Sequence, residues 1–171
     1  MRPVFEVRGC AEDDESFMRS GDRDARRPLY TAEVSDGSAI AIVERAPSPD
    51  EYRRLRASVG WNELSADGIR AGLSGSLYSV VLERDHVAVG CGRVVGDGGV
   101  YFYVQDVIVV PELQGLGWGA RIMDAVMDYL DASVRPGSFI GLMAAKDVEG
   151  FYLRYGFERR PDDRPGMFRI R

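Results

Sequence analysis

Residues 109–123 read VVPELQGLGWGARIM, and glycines at 115, 117 and 119 separate a β-branched run from a helical one. Pro111 closes the run, because proline can neither donate to a ladder nor continue into one. Beyond the glycines, apolar residues recur at helical spacing. Ile122, Val126 and Leu130 with Met123 and Met127 form one stripe, and Arg121, Asp124, Asp128 and Asp131 the opposite face, which predicts a helix over 117–131. A helix that starts here leaves its first amides unpartnered at the positive end of its dipole, a setting that suits an anion, and glycines let a bulky phosphate reach them. Two phosphate motifs fail on spacing. A P-loop needs Gly-Lys followed by Ser or Thr where this helix opens GWGAR, and a dinucleotide fingerprint needs glycine at 120, where Ala120 stands. A tight turn with close helix packing accounts for the glycines equally well at this point.

Working outward, AIAIVER (39–45) predicts a short strand, and SPDEYRRLRASVGW a helix capped by Ser48, with Pro49 in its first turn and Glu51 three residues after the cap. A second helix begins at Ser65, with Ile69 and Leu73 inward. SLYSVVLE, VAVGCGRVV and VYFYVQDVIVV then predict three strands joined by tight turns, an antiparallel meander. After the glycine-led helix come a strand over 139–144, a short helix closed by Gly156, and final strands near FERR and MFRI. Burying that many apolar faces calls for an α/β architecture, a mixed and mostly antiparallel central sheet flanked by helices.

With 171 residues the chain builds one domain, and 45% hydrophobic with 29% charged residues is an ordinary globular composition. Residues 1–38, with 9 acidic and 6 basic residues and no sustained period, read as an N-terminal extension, an arm or a flap, ahead of a domain over 39–171. A net charge of −5 argues against nucleic acid as a partner; without an apolar run of spanning length or a leader-like N-terminus, a cytoplasmic protein with no membrane partner is expected. Cys10 and Cys91 lack metal or redox spacing, and with one histidine no metal site is expected. That histidine, His86, falls in a turn and reads as solvated.

Q-G-L-G-W-G at 114–119 resembles the Q-x-x-G-x-G/A signature of the GNAT N-acetyltransferases, and FYLRYGF at 151–157 resembles that family's aromatic-Tyr-x-x-x-Gly-Phe segment. With the order of elements, the resemblance covers residues 39–171 and implies the GNAT acyl-CoA N-acyltransferase fold with acetyl-CoA as co-substrate. By resemblance, the amides of Gly115, Leu116, Gly117, Trp118, Gly119 and Ala120 cradle its pyrophosphate, Gln114 opens the loop, and the backbone of Ile108, Val109 and Val110 pairs with the pantetheine arm like an added strand. The sequence departs from many members at Ala145, where they carry an asparagine against the pantetheine.

Acetyl transfer to an amine needs an unprotonated nucleophile, a donor to the carbonyl oxygen and a proton for the departing thiolate. The resemblance assigns the proton to Tyr152 and the oxygen's donor to a backbone amide near Ile108 or Val109, leaving Tyr155 structural. The resemblance implies a carboxylate base on the strand before the loop; here the candidate is Asp106, which alternation sets on the face of Phe102 and Val104, opposite Tyr101, Tyr103 and Gln105, and which reads equally well as a sheet-ordering carboxylate. Tyr78, Tyr101, Tyr103 and Gln105 are the candidate acceptor-binding residues, with Trp61 beside them. Net acidity and an aromatic, acidic pocket point to a small cationic primary amine as acceptor. Alternatives are a protein or peptide N-acetyltransferase and a non-catalytic acyl-CoA-binding module, and the resemblance leaves room for a homodimer.

Overall fold

A computed structural model describes residues 28–33 and 37–170. Six strands lie in sequential order: β1 (Pro28–Glu33), β2 (Ala39–Glu44), β3 (Tyr78–Arg84), β4 (Val87–Gly96), β5 (Tyr101–Val109) and β6 (Phe139–Gly141). All neighbours pair antiparallel except β5 and β6, which run parallel. Among the described residues no helix is long and apolar enough to cross a membrane.

The helices form where their caps and stripes place them. In α1 (Pro49–Ser58) the Ser48 hydroxyl accepts from Glu51 N while the Glu51 carboxylate accepts from Ser48 N, a complete capping box. Arg45 grips the same carboxylate with two 2.8 Å bonds. Ser65 caps α2 (Ala66–Ser74) in the same manner through Gly68 N. The long α3 (Trp118–Ser133) buries Ile122, Met123, Val126 and Leu130 against the sheet, each side chain contributing about 1.5–3 kcal/mol of apolar burial. It comes down closely because Gly92 offers no side chain; a Cβ there would stand 2.5 Å from Ile122 Cγ2. The opposite face of the sheet receives α1 and α2, whose Tyr52, Ile69 and Leu73 form a small core of their own.

Three expectations are corrected. The sheet begins inside the stretch assigned to the extension, since β1 pairs with β2; as an edge strand with mostly exposed side chains it lacks the apolar pattern that marks the others. The rest of that extension, residues 1–27 and 34–36 with Cys10 among them, lies outside the described residues. Second, β6 has three residues rather than six, because residues 142–145 leave the sheet to wall a cleft. Third, after α4 (Glu149–Leu153), FERR and MFRI form no strands; Met167, Phe168 and Ile170 are at least 76% exposed, and β6 is too short to template them.

Candidate active site

A cleft of about 850 Å3 opens where β5 and β6 part company. Its walls are β5 from Val104 to Val109, the glycine turn, residues 142–145, one side of α4, and Val59 and Trp61 after α1.

The turn is built for exposed amides. A 3₁₀ turn, Pro111–Leu113, carries the chain out of β5, and Gly115 and Gly117 adopt left-handed φ values of +75° and +91°, a region that costs other residues about 1–2 kcal/mol. Gly117 caps α3 with no side-chain acceptor, so the helix opens toward the cleft with its first donors uncovered. Among the amides expected to be bare, that of Ala120 is engaged: Ala120 N donates to Gly117 O at 3.0 Å. Leu116 turns its side chain to solvent, and Trp118 buries its indole edge-on to Tyr30.

In β5 a bulge changes which backbone groups face outward. Cys91 pairs with Ile108 and Arg93 with Gln105, so Gly92 alone opposes both Asp106 and Val107, and Asp106 sits at a left-handed φ of +54°. Before the bulge the odd residues face β4, as Asp97 N donating to Tyr101 O shows; after it the even ones do, as Val110 N donating to Val89 O shows. Val109 is thereby turned to the open edge, where Gln114 Nε2 donates to its carbonyl at 2.8 Å. Of the three residues expected to pair with pantetheine, Val109 alone offers its polar groups to the cleft; those of Ile108 and Val110 are directed into the sheet.

The bulge also overturns the alternation expected for Asp106. Its carboxylate lies on the α1 face, buried, where Oδ2 accepts from Tyr52 Oη at 3.0 Å and Arg93 Nε at 2.8 Å, and Arg56 Nη1 stands 3.4 Å from Oδ1. The remaining Arg93 nitrogen reaches Gly72 O and Ser76 Oγ, so one guanidinium joins β5 to the end of α2. These partners went unread in the sequence, although an arginine inside VAVGCGRVV was a visible signal.

Tyr152 lines the cleft, and burial raises its phenol above the ordinary value, which keeps it protonated. Tyr155 donates instead to Ala120 O and Asp124. Of the acceptor candidates only Gln105 lines the cleft, joined by Trp61, over whose ring Arg56 lies at 5.1 Å. Tyr101 is 61% exposed beside Phe139, and Tyr103 packs against Gly141. Tyr78 belongs to the other face, where it stacks on Tyr129 at 4.5 Å in a separate groove; its position at the start of β3 points it at α3. His86 is solvated, with its side chain 98% exposed.

A family model for the acetyltransferase (GNAT) domain matches residues 75–159. Over 123 residues, 69% of either protein, the chain is 32% identical to an uncharacterized N-acetyltransferase, ycf52, of Pyropia yezoensis. Over 117 residues, 65% of the chain and 56% of the relative, it is 35% identical to serotonin N-acetyltransferase 2, chloroplastic, of Oryza sativa subsp. japonica. Among solved structures, SA2161, a probable acetyltransferase from meticillin-resistant Staphylococcus aureus, superposes with a TM-score of 0.73 at 27% identity, covering 77% of this chain and 99% of that one. The chain belongs to the GNAT N-acetyltransferase family, and is an acyltransferase by that membership.

Proposed function

We propose that the protein transfers the acetyl group of acetyl-CoA to a small primary amine bearing an apolar or aromatic body, by direct attack of the amine on the thioester. The observation that carries the reading is one cleft lined at once by an uncapped helix start, by Tyr152 and by the open edge of β5.

The donor site fits a pyrophosphate on physical grounds. Gly115 and Gly117 meet nothing within 4 Å of where a side chain would begin, which leaves room for bulky oxygens against bare amides. The Val109 N–H faces the open edge and, on this reading, stabilises the charge that builds on the carbonyl oxygen. Tyr152, held protonated by burial, supplies the proton for a thiolate whose thiol has an ordinary pKa of about 8.5.

The acceptor is narrowed by what lines the cleft near α1. Its one lining carboxylate, Asp106, is engaged by Arg93, Tyr52 and Arg56, so recognition of a polycation finds little support there. Val59 and the Trp61 ring instead favour an apolar body, as does the rice relative, whose name assigns it serotonin. The amine's proton passes to water at the cleft mouth.

Calorimetric titration with acetyl-CoA, CoA and pantetheine tests the donor site, followed by a transfer assay on tryptamine, spermidine and a peptide amine. Saturable binding of the first two but not of pantetheine, with tryptamine the best acceptor, is the expected result. Equal binding of pantetheine would remove the phosphate cradle, and preference for spermidine or the peptide would overturn the acceptor class.

A further inference from the structure

The left-handed backbone at Asp106 lies at the point where β5 exchanges the residues that face β4 for those that face the cleft. Aspartate adopts this region more readily than most residues, yet still at a cost, so something must hold it there. Arg93 does so from the neighbouring strand with Nε at 2.8 Å and Nη2 at 2.6 Å from Oδ2, while its other arm is fastened to α2. Tyr52 adds a bond from α1, and the Cys91 thiol reaches the Asp106 carbonyl at 3.4 Å.

We propose that Arg93 and Tyr52 are positioning residues, which clamp Asp106 in the bulge and so aim the Val109 amide at the acetyl carbonyl, and that Asp106 serves as the clamp's anchor rather than as the base. The inference rests on the acetyl-transfer reading for its catalytic consequence but not for its structural one. Without the bulge, strand alternation would turn Val109 back toward β4 and present Ile108 to the cleft. The charge pair is buried, so losing Arg93 would leave Asp106 unpaired in an apolar setting and free the strand to rearrange.

Amide hydrogen exchange on the wild-type chain and on Arg93→Met, Arg93→Lys and Asp106→Asn reads the clamp without reference to activity. In the wild type, Ile108 and Val110 amides should be protected and Val109 exposed to exchange; Arg93→Met should erase that contrast, and Arg93→Lys, which keeps the charge and serves if the methionine variant does not fold, should weaken it. In steady-state assays Arg93→Lys should lower kcat at least tenfold with a smaller change in the KM for acetyl-CoA. Asp106→Asn, which still accepts from Arg93, should lower kcat only about threefold and equally at every pH, whereas loss of a general base costs about a hundredfold or more. An exchange pattern indifferent to Arg93 would overturn the clamp. A hundredfold loss in Asp106→Asn together with disappearance of the acidic limb would return Asp106 to the role of base. Should the wild type transfer acetyl to no amine while the exchange pattern still depends on Arg93, the catalytic reading falls and the clamp stands.

Discussion

The hydroxyl of Tyr155 lies 3.2 Å from both the carbonyl oxygen of Ala120 and Oδ1 of Asp124, so a single phenol fastens the chain just beyond α4 to the first turns of α3. Tyr152, three residues earlier, is thereby held beside the helix start that lines the same cleft. Removing this hydroxyl in Tyr155→Phe should cost about 1 kcal/mol, read as a melting temperature lower by about 2–4 °C in a domain of this size. Burial, and then the neighbouring Asp124, push the Tyr155 phenol up to about 12 from 10.0. A raised pKa means that the neutral form is the one the fold stabilises; the contribution is complete below pH 10 and disappears as pH rises toward 12. The melting difference between wild type and Tyr155→Phe should therefore shrink over that interval, and a difference constant with pH would show that the hydroxyl bond is not its source.

Tyr152→Phe removes the proposed acid and leaves the ring. Acetyl transfer should slow by about 10²–10⁴-fold in kcat, with donor affinity by calorimetry essentially that of the wild type. A variant that transfers acetyl at the parental rate would sink the assignment, since nothing else in the phenylalanine could replace the proton.

Gly117 and Gly119 should respond differently to alanine. At Gly117 the left-handed backbone makes any side chain strained, although nothing lies within 4 Å, so Gly117→Ala should lose about 1–2 kcal/mol of stability. Gly119 has an ordinary conformation, and its new methyl would meet Phe151 at 3.8 Å and Val109 at 4.0 Å, normal contacts. Gly119→Ala should melt with the wild type and keep its affinity for acetyl-CoA, as the G/A at this position of the signature allows. Thermal melts paired with donor titrations check both; a Gly119→Ala variant as unstable as Gly117→Ala would show that backbone conformation does not set the difference.

On the acid side, the relevant group is Glu51. The Arg45 hydrogen bond holds its carboxyl well down, to about 2 from 4.5. A depressed pKa contributes stability that is present above pH 4.5 and is lost as pH falls toward 2. Since α1 carries Tyr52 and Arg56 to Asp106, loosening its start also loosens the buried cluster. Chemical denaturation from pH 5 to 2 should show a steeper fall for the wild type than for Glu51→Gln, which has no charge to lose; parallel curves would contradict the role of the Arg45 pair.

What could be read from the sequence was whatever depends on local pattern. The capping box at Ser48 and Glu51, the three-strand meander, the α3 stripe and the glycine turn are each specified within a few residues, and each stands where expected. The bulge was not legible, because alternation assigns faces only while the strand is regular, and one extra residue at Asp106 reverses the assignment for everything beyond it. Tyr78 illustrates a second limit: an aromatic at the start of a strand has a face, but which helix covers that face is a tertiary fact. Edge elements failed in both directions, β1 because a strand paired on one side has little need of apolar residues and MFRI because an alternating apolar sequence needs a partner edge long enough to receive it.

Only three backbone pairs, Tyr101 with Phe139, Phe102 with Ile140 and Tyr103 with Gly141, stitch β6 to the rest of the sheet. Past them the strands diverge, and a donor lodged in the gap would act as mortar between two masonry courses that hardly touch. Occupancy at a hundred times the dissociation constant is worth about 2.7 kcal/mol to whatever is bound. If the donor is acetyl-CoA, as proposed, its loading should then set how readily this edge of the sheet opens as well as whether the protein can react.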